Sequence, residues 1–503
     1  MNSPNSTPVA TSATDRKWAY LVLSAIVLSM LIRPLDVAWM FDQGLLLGHA
    51  LMYNRSPAHM DGLNLPFTPG LTGLMGTRGV YYGPLPTWFY QILLAITHNF
   101  AAIVRIRTLL VAGTTAFSLA WLARTMRCSA WLAVITMLSP WMWIYSRQIW
   151  DNSLCIPLTA LTFASYADFL ARRGLGSLLL TVGACCACVL THFLTLSLVA
   201  PIMAHMFFTQ LRWLWKYKWS IAAVLAVFIF LASPYISFLL NPANATHEIP
   251  YWQIAASPIN GWFFPLLGAH HLSSAGLGND LESDWLYSLG NIWFIAGMTA
   301  QTITLIAYPL AWFGMILAAI KCRPAICLSP NASTIHHLCL IALLSYVAET
   351  VLHGVERIYE FPHYFNGNWI IFVFFAWLAA DQIGKRLWNR TIIVRALPTV
   401  YAMCLLVSLS AVIWKIARDG GTLGIGFGTT LGNQIEAVQK IAEFSPQNPQ
   451  PALYVPQWQM FKYALPELYV LVNAPPGHIP AKQVVVKYEG MYPDARLVVE
   501  AKP

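Results

Sequence analysis

Long apolar runs alternate with short polar segments along most of the chain, up to about residue 415. A transmembrane helix needs about 20 consecutive, mainly apolar residues. By that measure we predict about eleven transmembrane helices. The runs 176–192 and 194–211 are separated only by "THFLT", which favours either a tight turn or the middle of one long helix. The predicted spans are approximately 18–38, 103–124, 129–146, 153–171, 176–192, 194–211, 219–240, 292–320, 335–353, 367–384 and 393–414.

The pattern changes from Arg418 onward, where no apolar run is long enough to cross a membrane. The segment "NQIEAVQKIAEF" has the spacing of an amphipathic helix, whereas "ALYV", "ELYVLV", "KQVVVKYE" and "RLVVE" are typical of short strands. We therefore predict an all-α polytopic membrane domain over residues 1–417. A small extracytoplasmic α/β domain is predicted over residues 418–503.

Composition supports the membrane assignment. Charged residues make up 10% of the chain, hydrophobic residues 57%, and the mean hydropathy is +0.56. Soluble proteins are about a quarter charged. The net charge of +9 would suit nucleic acid, but the basic residues form short clusters between apolar runs. That arrangement is typical of cytoplasmic loops, so we predict a lipid bilayer as partner and no nucleic acid.

The basic clusters also predict the orientation of the chain. Positively charged loops stay on the cytoplasmic side, which places the N-terminus in the cytoplasm of a bacterial-type inner membrane. An odd number of spans then places the C-terminus outside. The loops that carry these clusters contain Arg16/Lys17, Arg124/Arg127, Arg172/Arg173, Arg212/Lys216/Lys218, Lys321/Arg323 and Lys385/Arg386/Arg390.

The first predicted outer loop contains two segments that favour helices at the membrane interface. They are "FDQGLLLGHALM" and "YYGPLPTWFYQILLAI", which are apolar, rich in aromatic residues and too short to span comfortably. Only 21 of the 503 residues are acidic, and one of them, Asp42, lies in this loop. Long ordered loops tend to carry function. We therefore expect an extracytoplasmic site close to the membrane surface.

The outer segments hold side chains suited to group transfer. A carboxylate can accept the proton of an attacking hydroxyl group, and Asp42 and Asp151 are the candidates. Arginine can bind phosphate through two hydrogen bonds. Phosphate and carboxylates together suit Mg²⁺ or Mn²⁺, so a divalent cation is compatible with the site, whose metal ligands are unknown. The outer arginines that could bind phosphate are Arg78, Arg105, Arg107, Arg147 and Arg357.

Simpler roles stay open for several of these residues. Asp42 could be a helix residue that faces water, and Asp36 a helix-end acid beside Arg33. Asp151 could cap the following helix, because aspartate is a favoured N-cap, and it could pair with Arg147 four residues earlier. His192 could be a polar residue at a helix end.

Several segments, taken in order, resemble the GT-C superfamily of membrane glycosyltransferases. That superfamily includes the protein O-mannosyltransferases and the aminoarabinose transferase that modifies lipid A. The resemblance covers about the first 175 positions and one later turn. The segments that carry it are "FDQG", "YYGPLPTWFY", "RIRTLLVAGTTAFSLAWLARTM", "LSPWMWIYSRQIWDNSLCIPLTALTFASYADFLARR" and "EFPHYFNGNWIIF".

The resemblance implies an inverting transfer of a sugar from a polyprenyl-phosphate donor to an extracytoplasmic lipid, glycan or protein acceptor. It implies Asp42 as the catalytic base or as the group that orients the acceptor, and Asp151 as the second-loop acid. Two positions depart from the family pattern. Gln43 stands where Glu is frequent, and Gly83 stands where Lys or His is frequent. Further site candidates are Tyr82 before the second interfacial segment, His192, and His363 and Tyr364 in the late outer turn.

Two other classes of membrane protein share parts of this pattern. An enzyme of the O-antigen ligase or polymerase type would use similar donor chemistry and favour a large late outer loop, for which residues 241–291 are available. Asp42 after the first span argues against that class. A transporter would show internal repeats or broken helices with charges at mid-membrane, and the sequence shows neither.

Overall fold

The structure, a computed structural model, describes most of the first half of the chain and separate segments of the second half. Five predicted features lie wholly or mainly outside it: the spans 292–320 and 367–384, the strands "ALYV" and "ELYVLV", and the loop 241–291. The described residues are 13–39, 41–55, 59–60, 63–64, 69–74, 81–241, 244, 295–300, 302–303, 306, 313, 316, 330–356, 362–370, 374, 378, 391–421, 429–444, 484–489 and 496–501.

The described part is mainly helical. Two short 3-10 helices cover Phe193–Thr195 and Pro362–Gly367. The α-helices are α1 Ala13–Ser29, α2 Phe41–Arg55, α3 Leu85–Ile96, α4 Phe100–Thr125, α5 Trp131–Met137, α6 Pro140–Arg147, α7 Asn152–Arg172, α8 Leu175–Val189, α9 Leu196–Lys216, α10 Lys218–Leu240, α11 Pro330–Glu356, α12 Thr391–Asp419 and α13 Leu431–Phe444. The helices predicted in the first outer loop correspond to α2 and α3, and both are confirmed.

The chain is a polytopic membrane protein. Six helical stretches within the described residues are long and apolar enough to cross a bilayer: α4, α7, Phe193–Lys216, α10, α11 and α12. Helix α7 lies at the centre of the bundle, where it packs against α4 and α8, and 83% of its apolar window is buried. In helix α10 only 11% of the most apolar stretch is buried, so most of the surface of this helix faces away from the bundle.

Two predicted spans differ from the helices observed. The first, predicted over 18–38, ends at Ser29, and a turn follows in which Arg33 has a positive φ of 50° immediately before Pro34. A residue that precedes proline is disfavoured in helical conformation. The third, predicted over 129–146, is two short helices, because α5 ends before Ser139 and Pro140 opens α6.

The segment "THFLT" is a break and not the middle of a long helix. Helix α8 ends at Val189, the 3-10 helix follows, and α9 begins at Leu196. Helices α8 and α9 are therefore separate.

The end of the chain adds one helix and two strands among the described residues. Helix α13 confirms the helix predicted for "NQIEAVQKIAEF". Strands Val484–Glu489 and Arg496–Ala501 form an antiparallel hairpin, in which Val484 pairs with Ala501, and they confirm the last two predicted strands. A second short hairpin, His59–Met60 with Leu63–Asn64, lies in the first outer loop.

The start of α13 is bound to the turn that follows α1. The amide of Leu431 donates to the carbonyl of Val37 at 2.9 Å, and the amide of Gly432 donates to the carbonyl of Leu35 at 3.1 Å. The buried side chain of Gln434 donates to the carbonyl of Trp39 at 2.8 Å. We call this set of contacts the 431–434 clamp. It holds the backbone three residues before Asp42.

Candidate functional site

The candidate site forms where several helices begin or end on the same side of the bundle. The start of α2, the start of α7, the end of α8 and the 3-10 helix Pro362–Gly367 meet there. The opposite helix ends carry Arg124, Arg172 and Lys216 in their last turns. The site therefore lies away from the basic loops.

Asp42 is the second residue of α2 and belongs to this group. The indole of Trp150 makes a hydrogen bond with its carboxylate. Burial raises the pKa of Asp42 to about 6, and the hydrogen bond from Trp150 opposes that rise. A carboxylate with this pKa is mainly ionised at neutral pH and is a stronger base than an ordinary aspartate.

Asp151 caps α7 and lies close to Asp42. One carboxyl oxygen accepts from the amide of Asn152 at 2.7 Å, so the predicted capping role is present. The residue is 1% exposed. Burial and the charge of Asp42 together raise the pKa of Asp151 to about 8. Near neutral pH the two carboxyl groups therefore hold one proton, mainly on Asp151, and one negative charge, mainly on Asp42.

A tyrosine and an arginine lie behind the acids. The Nε of Arg107 donates to the Tyr90 hydroxyl at 2.9 Å, and NH1 of Arg107 donates to the carbonyl of Ser146. The hydroxyl of Tyr90 is also hydrogen-bonded to the backbone of Trp150, and the charge of Asp151 reaches it. NH2 of Arg107 is buried with no hydrogen-bond partner among the described residues. The buried guanidinium of Arg107 is thus linked to the site through Tyr90, whose hydroxyl also feels the charge of Asp151.

The candidate histidines meet on the other side of Trp150. The ring of His363 lies 4.4 Å from the ring of Trp150, and the ring of Tyr82 lies 3.7 Å from the ring of His192, measured between centroids. The amide of Leu194 donates to Nδ1 of His192 at 3.1 Å, which leaves the proton of the neutral ring on Nε2. Burial lowers the pKa of both histidines to about 3, and His363 lowers that of His192 further. Both are neutral at physiological pH.

Gly83 explains how Tyr82 reaches His192. A Cβ atom at position 83 would lie 2.1 Å from the carbonyl oxygen of Leu190. Only glycine permits this approach of the two backbones. The amide of Leu85 then donates to the same carbonyl at 3.1 Å. A lysine or histidine here would separate α3 from the end of α8.

Arg147 is directed away from the two acids. Its NH2 group donates to the carbonyls of Ile32 and Arg33, and its guanidinium lies 3.9 Å from the centroid of the Trp143 ring. These contacts hold α6 against the turn after α1. Asp36 in that turn forms an ion pair with Arg33, which is the helix-end role expected for it.

Three further candidates, Arg78, Arg357 and Tyr364, have side chains outside the part of the chain that the structure describes. Arg78 and Arg357 lie outside the described residues. Tyr364 lies within the 3-10 helix beside His363, and its side chain is not among those described. The roles of these three residues remain predictions. Within the described part of the chain, no group of three or more His, Cys, Asp or Glu side chains is arranged to hold a metal ion.

The sequence did not single out two residues of the site. Trp150 was visible only as the neighbour of Asp151 in "QIWDN". Tyr90 was one of several aromatic residues in "YYGPLPTWFY". The signal available for both was an aromatic residue with a polar atom in a segment that already carried a candidate. Such residues usually find a hydrogen-bond partner when they are buried.

Comparison with known proteins gives structural matches only. No protein-family model matches the chain, and no curated protein matches it. The structure is similar to ArnT from Cupriavidus metallidurans in the apo state, with 14% identity and a TM-score of 0.44 over 94% of this chain and 93% of that chain. It is also similar to the same protein bound to undecaprenyl phosphate, with 15% identity and a TM-score of 0.45 over 97% and 98% of the two chains.

Proposed function

We propose that this protein is a glycosyltransferase that moves a sugar from a polyprenyl-phosphate donor to an acceptor on the extracytoplasmic face, with inversion at the sugar carbon. The donor class and the stereochemistry are those that the sequence resemblance implies. The observation that carries the proposal is the meeting of two carboxyl groups at one end of the bundle, Asp42 hydrogen-bonded to the Trp150 indole and Asp151 buried at the start of α7. The raised pKa values, about 6 for Asp42 and about 8 for Asp151, favour a base beside a neutral acid.

Asp42 acts as the general base. As the acceptor hydroxyl attacks C1 of the donor sugar, its proton passes to the Asp42 carboxylate. The C1–oxygen bond to the carrier phosphate breaks, and the polyprenyl phosphate leaves with the bonding electrons. The hydrogen bond from Trp150 orients the carboxylate. General-base catalysis of this kind contributes about 10²–10⁴-fold to rate.

The departing phosphate requires positive charge or hydrogen-bond donors. We assign this role to Arg78 and Arg357 from the sequence, and to Arg107 because its buried guanidinium binds the Tyr90 hydroxyl beside the acids and keeps one nitrogen without a partner among the described residues. Arg147 has a supporting role in this scheme, because its guanidinium already binds the turn after α1. The protonated Asp151 leaves the site with one carboxylate charge, which limits repulsion of the phosphate.

The acceptor could be a lipid, a glycan or a protein, and the reaction takes place at the outer surface of a bacterial-type inner membrane. Within the described residues, Asp42 and Asp151 are the carboxylates of the site, and they belong to no group of three or more side chains arranged to hold Mg²⁺ or Mn²⁺. Transfer measured with and without a chelator tests whether a cation takes part.

The experiment compares Asp42→Asn with Asp36→Asn in the purified chain. Release of undecaprenyl phosphate from its glycosylated form is measured with cell-envelope extract as the source of acceptors. Asn keeps the size of the side chain but cannot take a proton, so we expect transfer to fall at least about a hundredfold. Asp36 pairs with Arg33 in the preceding turn, so its variant should retain most activity. Near-normal transfer by Asp42→Asn would contradict the proposal, and donor binding without any transfer in the unaltered chain would favour a transporter.

A further inference from the structure

A second polar group lies beside the carboxylates, along the first turns of α7. The segment from His363 to Trp369 packs alongside that helix. The ring of His363 is against Trp150, and Nε1 of Trp369 donates to the carbonyl of Ile156 at 3.2 Å and to Oγ1 of Thr159 at 3.1 Å. Asn366 lies midway along this segment. The 363–369 segment therefore extends along α7 from Trp150, next to Asp151, to Thr159, about two helical turns further along that helix.

Neighbouring elements close this region on its other sides. A Cβ atom on Gly367 would lie 2.5 Å from the carbonyl oxygen of Leu194, so the segment is pressed against the break between α8 and α9. Nδ2 of Asn368 donates to Oγ of Ser197 and to Oε2 of Glu349, both at 2.7 Å. Helices α9 and α11 thus hold Asn368 in place.

Three asparagines here have polar atoms without hydrogen-bond partners among the described residues. They are Oδ1 and Nδ2 of Asn366, Oδ1 of Asn368 and Oδ1 of Asn152. Asn366 and Asn368 are 0% exposed and Asn152 is 4% exposed. A buried polar atom left unpaired costs about 1–3 kcal/mol, and folded proteins leave few of them. The four atoms belong to the first turn of α7 and to the 366–368 segment packed beside that helix, so a polar ligand between these two elements could supply their missing partners.

The chemistry of these atoms selects the ligand. Three of the four are acceptors, so the ligand must bring hydrogen-bond donors. The orientation of the Asn368 amide is set by the Glu349 carboxylate, which can accept only from its NH₂ group. A phosphate group offers acceptors and is unsuited to this set. Hydroxyl groups both donate and accept, and neighbouring hydroxyls on a sugar ring match the paired donor and acceptor of an asparagine amide.

We propose that Asn152, Asn366 and Asn368 form the subsite that binds the sugar of the lipid-linked donor. This proposal rests on the proposed function, because Asn152 adjoins Asp151 and the 366–368 segment packs beside the same helix, close to where C1 of the donor sugar must lie for transfer. The amides recognise the ring hydroxyls, while the carrier phosphate is bound by arginines. Asn366 is the central specificity residue, since both of its amide atoms are available to the sugar.

The test separates recognition of the sugar from recognition of the carrier. The probes are undecaprenyl phosphate and the same carrier bearing glucose or mannose, with the full chain in lipid nanodiscs. In the unaltered chain, at least one glycosylated carrier should bind more tightly than the bare carrier. Asn366→Leu preserves the approximate volume of the side chain and removes the amide. It should weaken binding of that glycosylated carrier at least about tenfold and leave binding of undecaprenyl phosphate unchanged.

Matched variants guard against a loss of folding. Gln210→Leu removes another buried amide, which binds Arg173 at the opposite end of α9, and it should change neither affinity. Asn366→Ala serves as a second variant if Asn366→Leu does not fold. Removing an unpaired buried amide should leave the thermal unfolding temperature of Asn366→Leu unchanged or higher.

Two results would overturn the subsite. One is a glycosylated carrier that binds no more tightly than undecaprenyl phosphate in the unaltered chain. The other is that Asn366→Leu binds each carrier with the same affinity as the unaltered chain does. That result would mean that the amides bind water. Either result combined with Asp42-dependent transfer would leave the proposed function standing. A sugar preference that depends on Asn366, without Asp42-dependent transfer, would retain the subsite and reject the function.

Discussion

Asp42 and Asp151 both contact the Trp150 region, yet their surroundings differ. Asp42 lies in the first turn of α2 and accepts a hydrogen bond from an indole, whereas Asp151 is enclosed at the start of α7 and receives the field of Asp42. Burial raises both pKa values, and the field of Asp42 separates them further. The separation gives one base and one neutral acid at the same pH, which is a common basis for dividing roles between paired carboxyls.

This separation predicts a bell-shaped pH profile of transfer. Activity should rise with pH through about 6, as Asp42 loses its proton. It should fall above about 8, because Asp151 then also loses its proton and the site holds two negative charges beside the phosphate. The measurement is the rate of undecaprenyl phosphate release between pH 5 and pH 10. Asp151→Asn should retain the acid limb and lose the alkaline limb. An alkaline limb that persists in this variant would assign it to another group.

The same shift predicts how stability depends on pH. The folded-state pKa of Asp151 is raised from 3.8 to about 8, so the folded state prefers the protonated form. Its contribution to stability is complete below about pH 4 and is lost as the pH rises through about 8. Thermal unfolding should therefore show a decline over this interval that Asp151→Asn reduces. Asp151→Ala should be less stable than Asp151→Asn by about 0.5–2 kcal/mol at each pH, because alanine is uncharged like asparagine but cannot cap α7.

At the scale of elements, the site is built from interruptions of helices. The early end of α1, the gap between α6 and α7, and the break between α8 and α9 each deliver a candidate residue or its partner. The apolar runs predicted the helices well, since a spanning segment needs only length and hydrophobicity. The interruptions were harder to predict. Pro34 marks the first of them in the sequence, but the effect of a proline on a run of apolar residues depends on the packing of neighbouring helices.

The 431–434 clamp predicts a positioning role for Gln434. Gln434→Leu removes the bond to the carbonyl of Trp39, three residues before Asp42. We expect kcat for transfer to fall about tenfold or more, because small displacements of a catalytic group are costly. KM for the donor should change little. The matched control is Gln439→Leu on the exposed face of the same helix, which should behave as the unaltered chain. A fall in protein level without a change in kcat would indicate a structural role only.

At the scale of the whole molecule, the candidate site and the start of α13 lie at the helix ends opposite the basic clusters. The clamp places residues 431–434 on the same side as Asp42. With a cytoplasmic N-terminus, this side is extracytoplasmic. A phosphatase fused after Pro503 should therefore be active, and a reporter that works only in the cytoplasm should be silent. The opposite result would reverse the orientation and place the site in the cytoplasm.

The convergence of residues from distant segments could be predicted only in part. Sidedness was enough to place Asp42, Asp151, His192 and His363 on one surface. It could not show that Trp150 lies between the acids and the histidines, or that Arg147 faces α1 instead of the acids. Those outcomes depend on the rotation of each helix about its axis. The packing of side chains sets that rotation, and a pattern of apolar runs does not.

The distance along the chain between the two halves of the clamp has a consequence for synthesis. Trp39 and Gln434 are 395 positions apart. Translation proceeds at about 5–20 residues per second, so roughly 20–80 s pass between the two residues leaving the ribosome's active centre. During that time the membrane helices can insert, but the turn before Asp42 lacks its final hydrogen bonds. We therefore expect the turn before Asp42 to reach its final geometry only when the last segment has been made, and a chain that stops before Leu431 to reach the membrane without transfer activity.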